Sequence, residues 1–178
     1  MPTLTKRPTV NDSAIIKTAV ERLLPDVIEW LNQNGDSTDY EQETEERDSV
    51  IDQLTGAIKG STTDDGYRLA RELEHDGWDA DSALVEVMDR TSSYLREAVR
   101  QASIVWFKES GFTQLVPGTR VKSNQRGDSN GKIGVIRDAY EDGRYSVNIS
   151  ELGHNPMDSK LPGAYGIILD HENLELVK

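Results

Sequence analysis

The residues best equipped for chemistry are three histidines, His75, His154 and His171. His75 stands beside a predicted helix end, and the other two fall in predicted loops. None has a second histidine at helical spacing and no His-Glu-x-x-His pattern occurs, so solvated histidines are expected rather than metal ligands. Asp76, Asp79 and Asp81 faintly resemble a calcium loop, but the glycine and closing glutamate of such a loop are missing. Helix capping accounts for these acids, as it does for Asp64 and Asp65. There is no phosphate-cradling glycine loop followed by Lys-Ser/Thr, and no Gly-x-Ser-x-Gly elbow. Arg126-Gly127-Asp128 matches an integrin-binding tripeptide, which three residues do by chance. Carboxylate pairs are common, but the chain has 32 acids against 20 bases, so their abundance carries no signal. The expectation is a non-catalytic protein with no cofactor and no metal.

Two charged groups remain. Glu41, Glu43, Glu45, Glu46 and Asp48 form an acidic run at a predicted helix start, where negative charge suits the helix dipole. They serve either as a solvated face or as a negative surface for a basic partner. Arg120, Lys122, Arg126 and Lys132 lie further on, with Arg137 and Arg144 beyond them. Arg120 and Lys122 share one face of a predicted strand, and Arg126 and Lys132 flank the following loop. Such a patch could meet phosphates or an acidic protein surface, or could be scattered solubilising charge.

The elements that position these groups change character along the chain. Residues 1–114 hold 23 acids and 12 bases, a net of −11, whereas residues 115–178 hold 9 and 8, a net of −1. That shift argues against the whole chain being a non-specific nucleic-acid binder. With the change of pattern near Gly111, it predicts an N-terminal arm (1–11), an acidic bundle of about four helices (12–111) and a small β domain (115–178). Cysteine is missing, which excludes disulfides and thiolate metal sites. No apolar run approaches membrane-spanning length, and the first residues lack an apolar signal core, so a cytoplasmic location is expected.

The longest predicted helix runs from Asp79 to Gly111. Its stripe, Leu84, Met88, Thr91, Leu95, Ala98, Ala102 and Val105, steps four and three and so stays on one face. Before it, Ile16, Val20, Leu23, Val27 and Leu31 mark a first helix that continues in phase across Pro25, favouring one kinked helix over two. Tyr40, Thr44, Arg47, Ile51, Leu54 and Ile58 mark a second, capped at Ser37, Thr38 or Asp39. Thr63 caps a short third, carrying Tyr67, Ala70 and Leu73 and ending at Gly77. Trp78 then meets Leu73 as the apolar contact of a Schellman ending.

Beyond Gly111 five short strands are predicted, over 118–122, 131–137, 144–149, 165–169 and 174–177. Val121, Val135, Tyr145, Val147 and Ile168 are expected to alternate inward. Gly118-Thr119-Arg120-Val121-Lys122, Gly131 with Gly134-Val135-Ile136, Gly143-Arg144-Tyr145-Ser146-Val147 and the closing Glu172-Asn173-Leu174-Glu175-Leu176-Val177 resemble SH3-like barrels of the KOW type. The resemblance covers about a third of the chain. It implies a five-stranded SH3-like barrel, hence an α+β fold, and a module that binds ribosomal RNA, transcription machinery or other proteins, or braces an enzyme subunit.

The function expected is that of an interaction or regulatory protein, binding a protein partner through the acidic helices, the barrel or both. Joining an acidic helical module to a small barrel is a style of bacteriophage-encoded proteins. That style raises the expectation of an inhibitor of a host nucleic-acid-handling complex. The alternatives are a nucleic-acid-binding accessory factor that uses the barrel, and a structural component of a larger particle.

Overall fold

The computed structural model describes residues 6–34, 36, 38–61, 65–152 and 166–177. Four helices precede a five-stranded antiparallel sheet, an α+β fold. The helices are α1 (Ser13–Gln33), α2 (Thr44–Gly60), α3 (Gly66–Leu73) and α4 (Ser82–Glu109). The strands are β1 (Arg120–Ser123), β2 (Ile133–Ala139), β3 (Arg144–Asn148), β4 (Ile167–Asp170) and β5 (Leu174–Leu176). Packing divides the chain into two compact units inside α4, between Ala102 and Ser103, whereas the break in composition comes at Gly111.

In the helical unit α1 is continuous through Pro25. Pro25 lies on the exposed side, so the carbonyl of Glu21, which loses its helical donor, faces the wet side of the helix. Ile16, Val20, Leu23 and Val27 are buried on the other side as the stripe requires, and Leu31 is partly covered. The second helix begins later than its capping residues suggest, at Thr44, after a turn in which Asp36 accepts the Thr38 amide at 2.9 Å. Its buried residues are Val50, Leu54 and Ala57, with Ile51 and Ile58 packed beside them. Thr44 and Arg47, expected in the stripe, are exposed, since burial in α2 begins only at Val50.

Asp65 caps α3 by accepting the Arg68 amide at 3.1 Å; Thr63, the expected cap, lies outside the described residues, as do Ser37 and Asp64. Leu69, Ala70 and Leu73 are its buried face, while Tyr67 is 62% exposed and does not join the core. The corner after α3 is a Schellman ending. Gly77 has φ 89°, its amide donates to the Glu74 carbonyl, and the Trp78 amide donates to the Leu73 carbonyl. Asp81 then caps α4 through the Leu84 amide at 2.7 Å. Leu84, Met88, Thr91, Leu95 and Ala98 are buried as predicted.

In the second unit the end of α4 buries Ser103, Ile104, Trp106 and Phe107, whereas Val105, the last member of the expected stripe, is 53% exposed. Phe107 packs on Phe112 and His171, so the buried arc has moved around the helix from the line through Ala98 and Val105. The sheet order is β4-β3-β2-β1-β5, with β4 and β5 at the edges and, among the described residues, no closure by hydrogen bonds. Val121, Ile136, Tyr145, Val147, Ile149 and Leu169 form its core.

Val135 and Ile168 are not inward, contrary to the expected alternation. Val121 lies opposite Gly134, which makes Gly134 and Ile136 the inward positions of β2. A Cβ on Gly134 would lie 2.6 Å from Val147 Cγ1, so only glycine lets β2 approach β3 here. Tyr145 likewise lies opposite Leu169 and places it inward, leaving Ile168 opposite Ser146 and 46% exposed.

Candidate functional site

Glu41 and Glu43 lie in the turn before α2, and Glu45, Glu46 and Asp48 in its opening turns. Every residue from 41 to 49 is exposed, and burial begins only at Val50. Five carboxylates and one guanidinium, Arg47, therefore stand in nine consecutive open positions. Among the described residues none of the five carboxylates is in an ion pair. Glu45 and Glu46 sit in the first turn of α2, where their charge complements the exposed amides.

Sequence reasoning missed what lies beside this run. Trp30, near the end of α1, and Trp78, after the Schellman corner, stack with ring centroids 5.7 Å apart and planes 3° from parallel. Trp30 Nε1 donates to Asp81 at 3.1 Å, and Trp78 Nε1 donates to Gln53 Oε1 at 2.6 Å. Trp78 is thus the structural pin expected of it, and it also lines an open cleft of about 380 Å³ with Trp30 and Tyr40. Asp36, Glu46, Asp76 and Asp79 contribute to the same walls, and among the described residues no lysine or arginine does. Tyr40 donates to Asp36 Oδ2 at 2.6 Å. Burial, then this bond, pushes the Tyr40 hydroxyl up to about 12, so it stays neutral. Hydrogen bonds from Thr38 and Tyr40 hold Asp36 below its ordinary value, so it stays ionised. The tryptophans are 48 positions apart, and no periodicity joins them. The signal that could have found them was the Gly77 corner, which fixes Trp78 against the bundle.

A wider cleft of about 620 Å³ lies between α1 and the turn before α2, over Pro25 and Ile28. There Arg47 stands with Glu21, Asp39 and Glu41, so its charge is partly balanced.

The basic candidates are arranged less tightly. Arg120 and Lys122 alternate with the buried Val121 and Ser123, and so share the outer face of β1. Lys122 lies opposite Glu175 of β5 on one side and Ile133 of β2 on the other. Arg126 is exposed in the β1–β2 loop, and Lys132 immediately precedes β2. Arg137 lies 3.5 Å from Asp138, and Arg144 pairs with the buried Asp142 at 2.7 Å. Acids are interleaved throughout, and among the described residues no single-sign stripe forms.

Compared with known families, curated proteins and solved structures, the chain matches none of them.

The histidines separate. His75 is exposed, and His154 lies outside the described residues. His171 is not solvated as expected: its Nδ1 lies 3.1 Å from the Tyr145 hydroxyl, and its ring packs 4.5 Å from Phe112. Among the described residues no three His, Cys, Asp or Glu side chains are grouped to hold a metal ion, and no helix is long and apolar enough to cross a membrane.

Proposed function

We propose that this chain is a non-catalytic interaction protein that presents the acidic opening of α2 to the basic surface of a protein partner. The observation that carries this reading is the run of nine exposed positions, 41–49, with five carboxylates outside any ion pair among the described residues. Charges left open in this way cost little in the free protein. They steer encounter with an oppositely charged surface and reject like-charged ones. The β unit then serves as a second contact or a brace. The order β4-β3-β2-β1-β5, with a short 3-10 turn between β4 and β5, supports reading it as an SH3-like barrel of the KOW type. A bacteriophage origin and inhibition of a host nucleic-acid-handling complex in the host cytoplasm extend the proposal, and they rest on compositional style.

The competing reading is nucleic-acid binding by Arg120, Lys122 and Lys132. A gel-shift series with duplex DNA, single-stranded DNA and RNA at about 50–150 mM salt separates the two, since phosphate contacts weaken steeply over that range. The proposal expects no shift. A shift lost on Arg120→Ala, Lys122→Ala and Lys132→Ala together transfers recognition to the sheet.

A further inference from the structure

The cleft lined by Trp30, Trp78 and Tyr40 calls for a particular occupant. Its walls combine two stacked indoles and a neutral phenol with four carboxylates. None of those carboxylates is in an ion pair among the described residues. Aromatic rings attract cations through their quadrupole, best of all indole, and carboxylates beside them add charge attraction and hydrogen-bond acceptors. Trp30 and Tyr40 are almost fully buried, so Trp78, which is only partly buried, is the ring an incoming group reaches. Both indole N–H groups are already bonded inside the unit, so the cleft presents chiefly acceptors and rings. Asp36 is already held by Thr38 and Tyr40, but an anion or a neutral apolar group would leave Glu46, Asp76 and Asp79 without a counter-charge. A volume of about 380 Å³ is ample for one extended basic side chain.

We propose that this cleft is the binding site for a single arginine or lysine side chain, the anchor residue of a basic segment on the protein partner. The inference rests on the acidic-surface reading and deepens it. Glu46 belongs both to the open run and to the cleft wall, so the run steers the segment and the cleft seats one residue of it.

The test uses the full chain and a short acetylated, amidated arginine peptide, with its neutral citrulline counterpart as the isosteric control. The readout is the indole N–H resonances of Trp30, Trp78 and Trp106 during NMR titration. The arginine peptide should move the Trp78 and Trp30 resonances saturably and leave Trp106 in place, and the citrulline peptide should move none. Two variants separate the cleft from the run. Asp76→Asn with Asp79→Asn alters the cleft alone and should weaken arginine binding about tenfold, the order expected for losing charged contacts at one site. Glu41→Gln, Glu43→Gln, Glu45→Gln and Asp48→Asn together alter the run alone. They should weaken binding yet leave the Trp78 shift and the discrimination against citrulline intact. Salt-sensitive binding that moves no indole resonance and is lost only in the run variant overturns the cleft while the acidic surface stands. Binding of neither peptide under any condition overturns both.

Discussion

Tyr40 and Asp36 form the most instructive pair of residues. Tyr40 is buried, and its hydroxyl gives its proton to Asp36 at 2.6 Å. Folding favours the neutral phenol, with its titration raised from 10.0 to about 12. The stabilisation is therefore complete below pH 10 and is lost as pH rises toward 12. Asp36 moves the other way, below its ordinary 3.8, so its share is present above that value and is lost as pH falls below it. Tyr40→Phe should accordingly flatten the fall in stability on the alkaline side, and should also shrink the acid-side loss, because Asp36 keeps only its Thr38 contacts. Urea unfolding of both proteins across the two pH ranges checks this, and unchanged curves would contradict it. Neither bond was legible in the sequence. Its spacing puts Tyr40 in the stripe of α2, yet it is buried from a turn stapled by Asp36 and Asp39 side chains.

At the scale of elements, the helical periodicity was the readable part. The stripes of α1 and of α4 as far as Ala98 are buried as their spacing requires, because each faces one continuous apolar core. Leu95 sits in that core at 5% exposure. Leu95→Ala should cost about 2–5 kcal/mol, the range for truncating a buried leucine, measured as a shift in the urea midpoint. Periodicity failed where packing partners change. Thr44 and Arg47 keep the correct spacing in α2 but stay exposed, Arg47 at the edge of the open cleft over Pro25 and Ile28, and Val105 continues a line that the helix stops burying beyond Ala102. In the sheet the strands were legible from their glycines and β-branched runs, but which face turned inward was not. The parity of β2 is set by Gly134, whose missing side chain gives no apolar signal, so Val135 took the inward place that belongs to Ile136.

For the whole molecule, the change in composition and the change in packing give different boundaries. Ser103–Glu109 continue α4 but belong with the sheet, where Phe107 and Phe112 pack against His171. A fragment 103–178 should therefore fold as a stable mixed domain. A fragment 113–178, lacking both phenylalanines, should unfold at lower urea; equal midpoints would show that the end of α4 contributes nothing to the β unit. The candidate surface was half legible. The five acids were visible as a run, and their openness followed from the lack of any apolar partner. The Trp30–Trp78 stack needed the fold to bring two distant residues together.

The central claim is that the acidic opening of α2 governs recognition, and the rate of association tests it most directly. The partner is first captured by the native protein from a lysate. Association is then timed for three proteins: the native chain, one with Glu41, Glu43, Glu45, Glu46 and Asp48 replaced by their amides, and one with Arg120, Lys122 and Lys132 replaced by alanine. The account predicts about a tenfold or greater slowing for the first variant at low salt, fading as salt rises, and little change for the second, since surface charges act chiefly on encounter. Unchanged association in the amide variant, with slowing confined to the alanine variant, would contradict it.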